Sequence, residues 1–448
     1  SWIEPYVEPR LADAPARGIM GAERIWAGNG LFGEGQIVAI SDSGLDVQLP
    51  GGDVGSADLA GRLVRAYAPS EMRPDSPACA AKTTWTDLNG HGTHVAGSVL
   101  GNGANSGANP AGNAYTSSNA GLAPRARYVF MAMNTDGSGG IQCVPSNGNY
   151  IAFGYQNGAR ISTNSWGGNT NGVYTANDSV IDDYIWRNRD YLVLFAAGNS
   201  GPDRGTIGSP GSAKNIISVV AVEIKSPARG PNDPVGGGSI SDNPNSLAYF
   251  SSRGPTVDGR IKPDIVAPGT NIVSVLGSEA RGLEPIAPGS PYALSSGTSM
   301  ATPLTAGAAA LVREWLVTQR NIPNPSAALI KALLIHGAFQ LPGVSTPNPS
   351  SGWGRVDLGS TLGSSYALFE DDQAGLRSGE QRVYTVEVAG ATANGTLFVS
   401  QRRPGASGLR LIPQPLPPAA PAAPAGDPQG LAVEPVECES ATYRGAFD

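Results

Sequence analysis

A chain of 448 residues exceeds what one hydrophobic core usually holds, since single cores seldom grow past ~300 residues, so one large domain with a smaller accessory region is expected. Its 60 glycines and 15% charged residues suit a loop-rich α/β protein, and a net charge of -7 argues against a nucleic-acid partner, which would require a basic patch. No apolar run reaches the ~18 residues that span a membrane, and three cysteines are too few to staple such a chain and lack a metal-site spacing.

The run Gln36-Ile37-Val38-Ala39-Ile40-Ser41 reads as a short buried parallel strand, and Asp42-Ser43-Gly44 follows it at once. In open α/β sheets the functional crevice lies outside the carboxyl ends of the strands, which is where Asp42 would stand; taken alone, Asp-Ser-Gly is also a turn signal. Next comes Asn89-Gly90-His91-Gly92-Thr93-His94-Val95-Ala96-Gly97, a glycine-flanked helix start that carries two of the three histidines. The third, His336, sits in the apolar stretch Leu333 to Ala338 and reads as structural.

Two further strands run into small residues. Arg127 to Met133 leads to Ser138-Gly139-Gly140, and Ala159 to Asn164 leads to Ser165-Trp166-Gly167-Gly168. Glycines there leave the main chain bare, so an extended peptide could pair with both segments as an added strand; two glycine-rich turns are the plain alternative. Another buried strand, Tyr191 to Ala197, ends in Gly198-Asn199-Ser200-Gly201, which brings the Asn199 amide to the same sheet edge.

The most informative run is Gly297-Thr298-Ser299-Met300-Ala301-Thr302-Pro303, where a loop turns into a long apolar helix with Leu304, Ala308, Leu311, Val312, Trp315 and Leu316 at helical spacing. Pro303 is expected in the first turn, where proline is tolerated. Unpaired amides and the positive dipole end of that helix point back toward Ser299, although an isolated Gly-Thr-Ser also reads as a helix cap. A serine is a weak nucleophile near neutral pH and needs a base, and the base needs an orienting group. Acyl transfer further requires donors aimed at the developing oxyanion. Either His91 or His94, with Asp42 and Asn199, offers those chemistries.

Cys79 precedes the histidine helix and Cys143 follows Ser138 to Gly140, so the two can pair or stand as free thiols; Cys438 is left over. Toward the C-terminus, Gln381 to Val388 alternates as a half-buried strand, Asn394-Gly395 is a hairpin signal, and Thr396 to Ser400 can return. Residues 411–430 are dominated by proline and alanine, a composition that suits an extended linker or disorder.

In the order Asp42, His91, Asn199, Ser299, these pieces resemble the subtilisin-like serine proteases (subtilases), and the resemblance runs over roughly residues 18–365. Phe250-Ser251-Ser252-Arg253-Gly254-Pro255, Lys262-Pro263-Asp264-Ile265-Val266-Ala267-Pro268-Gly269 and Gly352-Trp353-Gly354-Arg355-Val356 look most like the KP-43-like bacterial alkaline subtilases with a C-terminal β-domain. The resemblance implies a three-layer α/β fold with a mostly parallel central sheet. It sets an N-terminal extension at 1–17, a catalytic domain at 18–365 and a β-rich region at 366–448, where the relatives' longer β-domain and its calcium ligands find no match. It makes Ser299 the nucleophile, His91 the general base and then acid, Asp42 the group fixing the imidazole, and His94 structural. Asn199 and the Ser299 backbone amide would bind the oxyanion.

By the same resemblance Ser138, Gly139 and Gly140 pair with substrate on one side, and Ser165, Trp166, Gly167 and Gly168 on the other. The second segment, opposite Ala197 and Gly198, would line the pocket for the residue before the scissile bond; few charges appear in these walls, which suggests apolar or aromatic side chains. The loop from Glu223 to Pro244 would hold a structural calcium through Glu223 and Asp242, with oxygens from Ser239 and Pro244; a solvated surface loop is the alternative. Subtilases are generally made with a signal peptide and pro-segment, and neither is obvious here, so the chain is expected to begin near a mature N-terminus. The protein expected is a secreted, monomeric serine endopeptidase acting on protein or peptide substrates through an acyl-enzyme, with no nucleic-acid or membrane partner. A subtilase scaffold that binds without catalysis, or a processing protease of narrow specificity, are the alternatives.

Overall fold

The computed structural model of the chain describes residues 13–47, 55–134, 136–145, 149–224, 241–363, 371, 385–387 and 430–432. Seven strands form one sheet: β1 (Ile37–Asp42), β2 (Leu63–Tyr67), β3 (Arg127–Ala132), β4 (Ile161–Asn164), β5 (Leu192–Ala196), β6 (Ile217–Val222) and β7 (Ile265–Pro268). Their spatial order is β2-β3-β1-β4-β5-β6-β7, and every neighbouring pair is parallel. The chain runs out from β1 to one edge, returns through β3, and continues on the other side from β4. That places the topological switch at β1, flanked by β3 and β4, where a crevice opens beyond the carboxyl ends of the strands. Registers Asp42 with Ala132, Ser41 with Asn164, and Asn164 with Phe195 align those ends.

Side chains alternate between the two faces as the strand period of two demands. Val38, Ile40, Tyr128, Phe130, Leu192, Leu194, Val219 and Ile265 join one core, while Ala39, Val129, Met131, Val193 and Phe195 join another. The first core receives two helices, His91–Leu100 and Thr298–Gln319, through Val95, Ala96 and Val99 and through Met300, Leu304, Ala308 and Leu311. Gly307 permits their close approach: a Cβ there would stand 2.7 Å from Leu122 Cβ and 3.0 Å from the Val99 carbonyl oxygen. Helices Asn149–Gln156 and Ala176–Arg187 cover the opposite face through Tyr150, Ile151, Ile181 and Ile185. The result is the three-layer α/β arrangement expected from the sequence.

A separate antiparallel hairpin, β8 (Ile272–Val275) with β9 (Tyr292–Ser295), delivers the chain to Gly297. Pro303 departs from expectation, since it lies inside the helix, beyond its first turn. A proline has no N–H to bond the carbonyl four residues back, here that of Ser299. The freed Ser299 carbonyl instead accepts the Ser165 hydroxyl at 2.8 Å. Farther along, Thr385–Glu387 pairs antiparallel with Gly430–Ala432. The expected return strand Thr396 to Ser400, the Pro/Ala-rich stretch up to residue 429, Cys438 and the extension at 1–12 lie outside the described residues.

Candidate active site

Asp42 is the last residue of β1 and is 1% exposed. Its Oδ1 lies 2.7 Å from His91 Nδ1 and also accepts the Ser43 N–H at 2.7 Å. A carboxylate against Nδ1 keeps the proton on that nitrogen and leaves Nε2 free to accept one. His91 opens its helix behind Gly90, whose φ of 96° is left-handed and whose added Cβ would meet Ala280 Cβ at 2.7 Å, so only glycine fits the turn. The ring is 26% exposed. Burial pulls the His91 pKa down, but the charge and hydrogen bond of Asp42, with the more distant charge of Asp87, outweigh it and raise the value above 6.5. His94, one turn on, is fully buried with Nε2 at 3.1 Å from the Ile272 carbonyl oxygen and 3.2 Å from that of Ala293. Burial, then the nearby His91, push its pKa down to about 3, so it ties its helix to β8 and β9 as a neutral ring. His336 ends the separate helix Ala327–His336.

Ser299 is the second residue of its helix, where backbone amides lack intrahelical partners. Its hydroxyl donates to the Ser165 carbonyl at 3.0 Å, the reverse of the bond from the Ser165 hydroxyl to the Ser299 carbonyl. In this resting geometry the nucleophile candidate is thus latched to the end of β4. Asn199 stands beyond β5 with its Oδ1 accepting both the N–H and the hydroxyl of Thr298, at 2.9 and 3.0 Å. That fixes which way the amide points. A Cβ on Gly297 would stand 3.4 Å from Asn199 Nδ2 and 3.5 Å from the Ser299 nitrogen, so two N–H donors flank one small space. Neighbouring N–H donors are what a developing oxyanion requires.

Residues 33–354 match the model of the Subtilase family. The chain belongs to the subtilase family. It is 32% identical over 340 residues to the serine protease AprX of Bacillus subtilis, an alignment covering 73% of this chain and 66% of AprX. It is 30% identical over 304 residues to subtilisin Savinase of Lederbergia lenta, covering 65% of this chain and 81% of that protein. The chain therefore spans slightly less than two thirds of AprX. Among solved structures, fervidolysin of Fervidobacterium pennivorans, described as a keratinolytic enzyme related to subtilisin, superposes with a TM-score of 0.55 at 23% identity, covering 82% of this chain and 49% of that one. That likeness shows the shared fold.

In this subtilase the two small-residue segments do flank the strand ends. Ser138 N–H donates to Asp136 Oδ1 at 2.9 Å, and Asn134 Nδ2 donates to the Ser138 and Gly140 carbonyls at 2.6 Å each. Asn89 Nδ2, two residues before His91, adds bonds to the Gly137 and Ser138 carbonyls at 3.1 and 3.2 Å. Gly167 and Gly168 are exposed, whereas the half-buried Trp166 turns its indole under the cleft, donating to the Ser41 carbonyl at 3.1 Å and packing on Tyr150 and Phe195. Its side chain therefore braces the strand that carries Asp42, so of this residue only the main chain remains to meet a peptide. Gly168 pairs with Ser209 through bonds of 2.8 and 3.0 Å, and Gly208 donates to the Ala197 carbonyl at 2.9 Å. Gly208 and Ser209 thus link the end of β5 to Gly168, a connection that no local pattern in the sequence marks.

Cys79 and Cys143, both buried, form a disulfide across 64 positions. This settles their state and ties the loop before His91 to the residues after Gly140. At the expected calcium loop, Ser239 lies outside the described residues. Glu223 Oε2 accepts the Asn243 and Asp242 N–H groups at 3.2 and 3.4 Å. Burial first, and the adjacent Asp242 carboxylate as well, raise the Glu223 pKa, a repulsion a cation would relieve. Of the four expected ligands the Pro244 carbonyl oxygen already has a partner, since Arg355 donates to it and to Asn245 Oδ1. Among the described residues no group of three or more His, Cys, Asp or Glu is arranged to hold a metal.

Proposed function

We propose that this subtilase is a secreted serine endopeptidase, monomeric, that hydrolyses exposed or unfolded protein chains through an acyl-enzyme. The observation that carries the reading is the 2.7 Å contact of Asp42 with His91 at the same sheet edge as a serine whose amide and the Asn199 amide flank one space. Ser299 Oγ leaves the Ser165 carbonyl, attacks the scissile carbonyl carbon and gives its proton to His91 Nε2. The oxyanion sits between Asn199 Nδ2 and the Ser299 N–H. The tetrahedral species collapses, the amine leaves with the proton from His91, and water repeats the sequence to free the acid. Walls of Gly167, Gly168, Ala197 and Gly198 carry no charge and favour an apolar or aromatic residue before the scissile bond.

The disulfide supports an oxidising, extracellular setting, and no described helix is long and apolar enough to cross a membrane. Glu223 and Asp242 supply carboxylates for a structural calcium, which would neutralise the pair and stiffen the loop after β6. The test is digestion of unfolded casein by the protein, with and without a serine-directed covalent inhibitor. Inhibitor-sensitive cleavage supports the proposal. Cleavage untouched by inhibitor or by Ser299→Ala overturns the mechanism, and binding of casein without cleavage favours a non-catalytic scaffold.

A further inference from the structure

Asp87 lies four positions before His91 and is 1% exposed. Its carboxylate is fully occupied. Oδ1 accepts the Ser43 hydroxyl at 2.9 Å and the Gly90 N–H at 2.8 Å, and Oδ2 accepts the Thr93 N–H at 2.8 Å and the Thr93 hydroxyl at 2.7 Å. The Ser43 oxygen in turn accepts the Gly92 N–H at 2.9 Å, while the Ser43 N–H holds Asp42 Oδ1. A closed circuit therefore runs from Asp42 through Ser43 and Asp87 to the first turn of the histidine helix and back through the imidazole. The packing is tight, since a Cβ on Gly44 would stand 2.6 Å from Asp87 Cα. No cation pairs with Asp87 among the described residues.

We propose that Asp87 is a positioning residue for the His91–Asp42 pair, holding strand end and helix start in one register and setting a second negative charge near the imidazole. It rests on the protease reading above. The groups around His91 are Asp42 from β1, Asp87 from the preceding loop and neutral His94 on its own helix. The serine helix carries no acid in its first turn, β8 presents no titratable side chain, and the segment hydrogen-bonded to Leu88 and Asn89 carries Glu279 and Arg281. Of the charged groups only Asp42 and Asp87 contribute to the rise in the His91 pKa, against burial, which is the largest influence and acts the other way. The carboxylate also satisfies amides of the helix start, where negative charge is favoured.

The test compares the pH profile of kcat/KM on a chromogenic peptide for wild type, Asp87→Asn and Asp87→Glu. Asparagine keeps an acceptor for Ser43 and Gly90 but turns an NH2 toward the Thr93 donors. The acid limb should move down by ~0.5 pH unit as a negative charge is lost, and kcat should fall roughly ten- to hundredfold with KM little changed as the ring loses its placement. Asp87→Glu should restore the acid limb and leave kcat low. A purely structural Asp87 would lower the melting temperature and leave the acid limb in place, and that result overturns the proposal. Where Asp87→Asn does not fold, Ser43→Ala keeps the charge and cuts the link; it should lose kcat at an unmoved acid limb, and wild-type kcat there overturns it. A wild type without Ser299-dependent turnover sinks the protease reading instead. His91 titration by NMR then still reads the effect of Asp87, and equal values in wild type and Asp87→Asn overturn the inference.

Discussion

Replacing Thr298 by valine keeps the volume of a fully buried residue and removes one hydroxyl. That hydroxyl donates to Asn199 Oδ1 at 3.0 Å and accepts the Gly198 N–H at 3.3 Å, while the Thr298 N–H keeps its own 2.9 Å bond to Asn199. Asn199 thus loses one of the two donors that aim its amide toward the space beside Ser299. A net hydrogen bond is worth about 1–1.5 kcal/mol, and the partly exposed Gly198 N–H can turn to water, so the loss to expect is about that much. If it falls on the transition state alone, kcat drops roughly five- to twelvefold with KM unchanged. Removing the donor itself by Asn199→Ala should cost far more, about 10²- to 10³-fold, a range taken over from subtilisin. Steady-state kinetics on one peptide substrate measure both. Unchanged kcat in Thr298→Val, or a change confined to KM, would refute the idea that Thr298 preorganises Asn199.

Glu314 is 4% exposed, and its Oε2 accepts the Phe32 and Gly33 N–H groups at 2.9 and 2.7 Å. Burial pushes its pKa from 4.5 up to about 7, so the folded state binds the extra proton. Its stabilising contribution is full below pH 4.5 and is lost as pH rises through 7, by up to about 3 kcal/mol. Denaturant titrations of Glu314→Gln should lack that decline, and parallel curves for the two proteins would contradict it. Cys79→Ser, by releasing a loop of 64 positions, should cost about 4 kcal/mol in the chain-entropy account, read as a lower melting temperature under oxidising conditions; equal stability would show that the link constrains little. Chelation should lower the melting temperature of wild type and not of a Glu223→Gln, Asp242→Asn double variant. A curve unmoved by chelator would remove the calcium.

Four of the seven sheet strands, β1, β3, β4 and β5, and the helix starts at His91 and Ser299 were legible because burial on both faces leaves continuous apolar runs that end near Asp42, Asn199 and small residues; β2, β6 and β7 have no catalytic or substrate-pairing candidate at their ends to mark them. What escaped the sequence acts across long separations or through orientation. Asp87 looks like any loop acid; its partners include Ser43, 44 positions away. Gly208 and Ser209 gain meaning only from pairing with Ala197 and Gly168. Trp166 sits among glycines, and nothing in that pattern says that its indole reaches Ser41. Pro303 was read as a helix-start residue, and its depth in the helix emerges only once Thr298 is fixed as the first residue. Of the strand expected at Gln381 to Val388, Thr385–Glu387 is present, but it pairs with Gly430–Ala432, beyond a proline-rich stretch, where the sequence suggests Thr396 to Ser400 as the return.

The central claim is that Ser299 is a nucleophile activated by His91, and covalent labelling tests it without a substrate. Mass spectrometry after treatment with a sulfonyl fluoride should find a single adduct on the peptide bearing Ser299, absent in His91→Ala. Labelling that ignores His91, or that leaves Ser299 unmodified, would contradict the account.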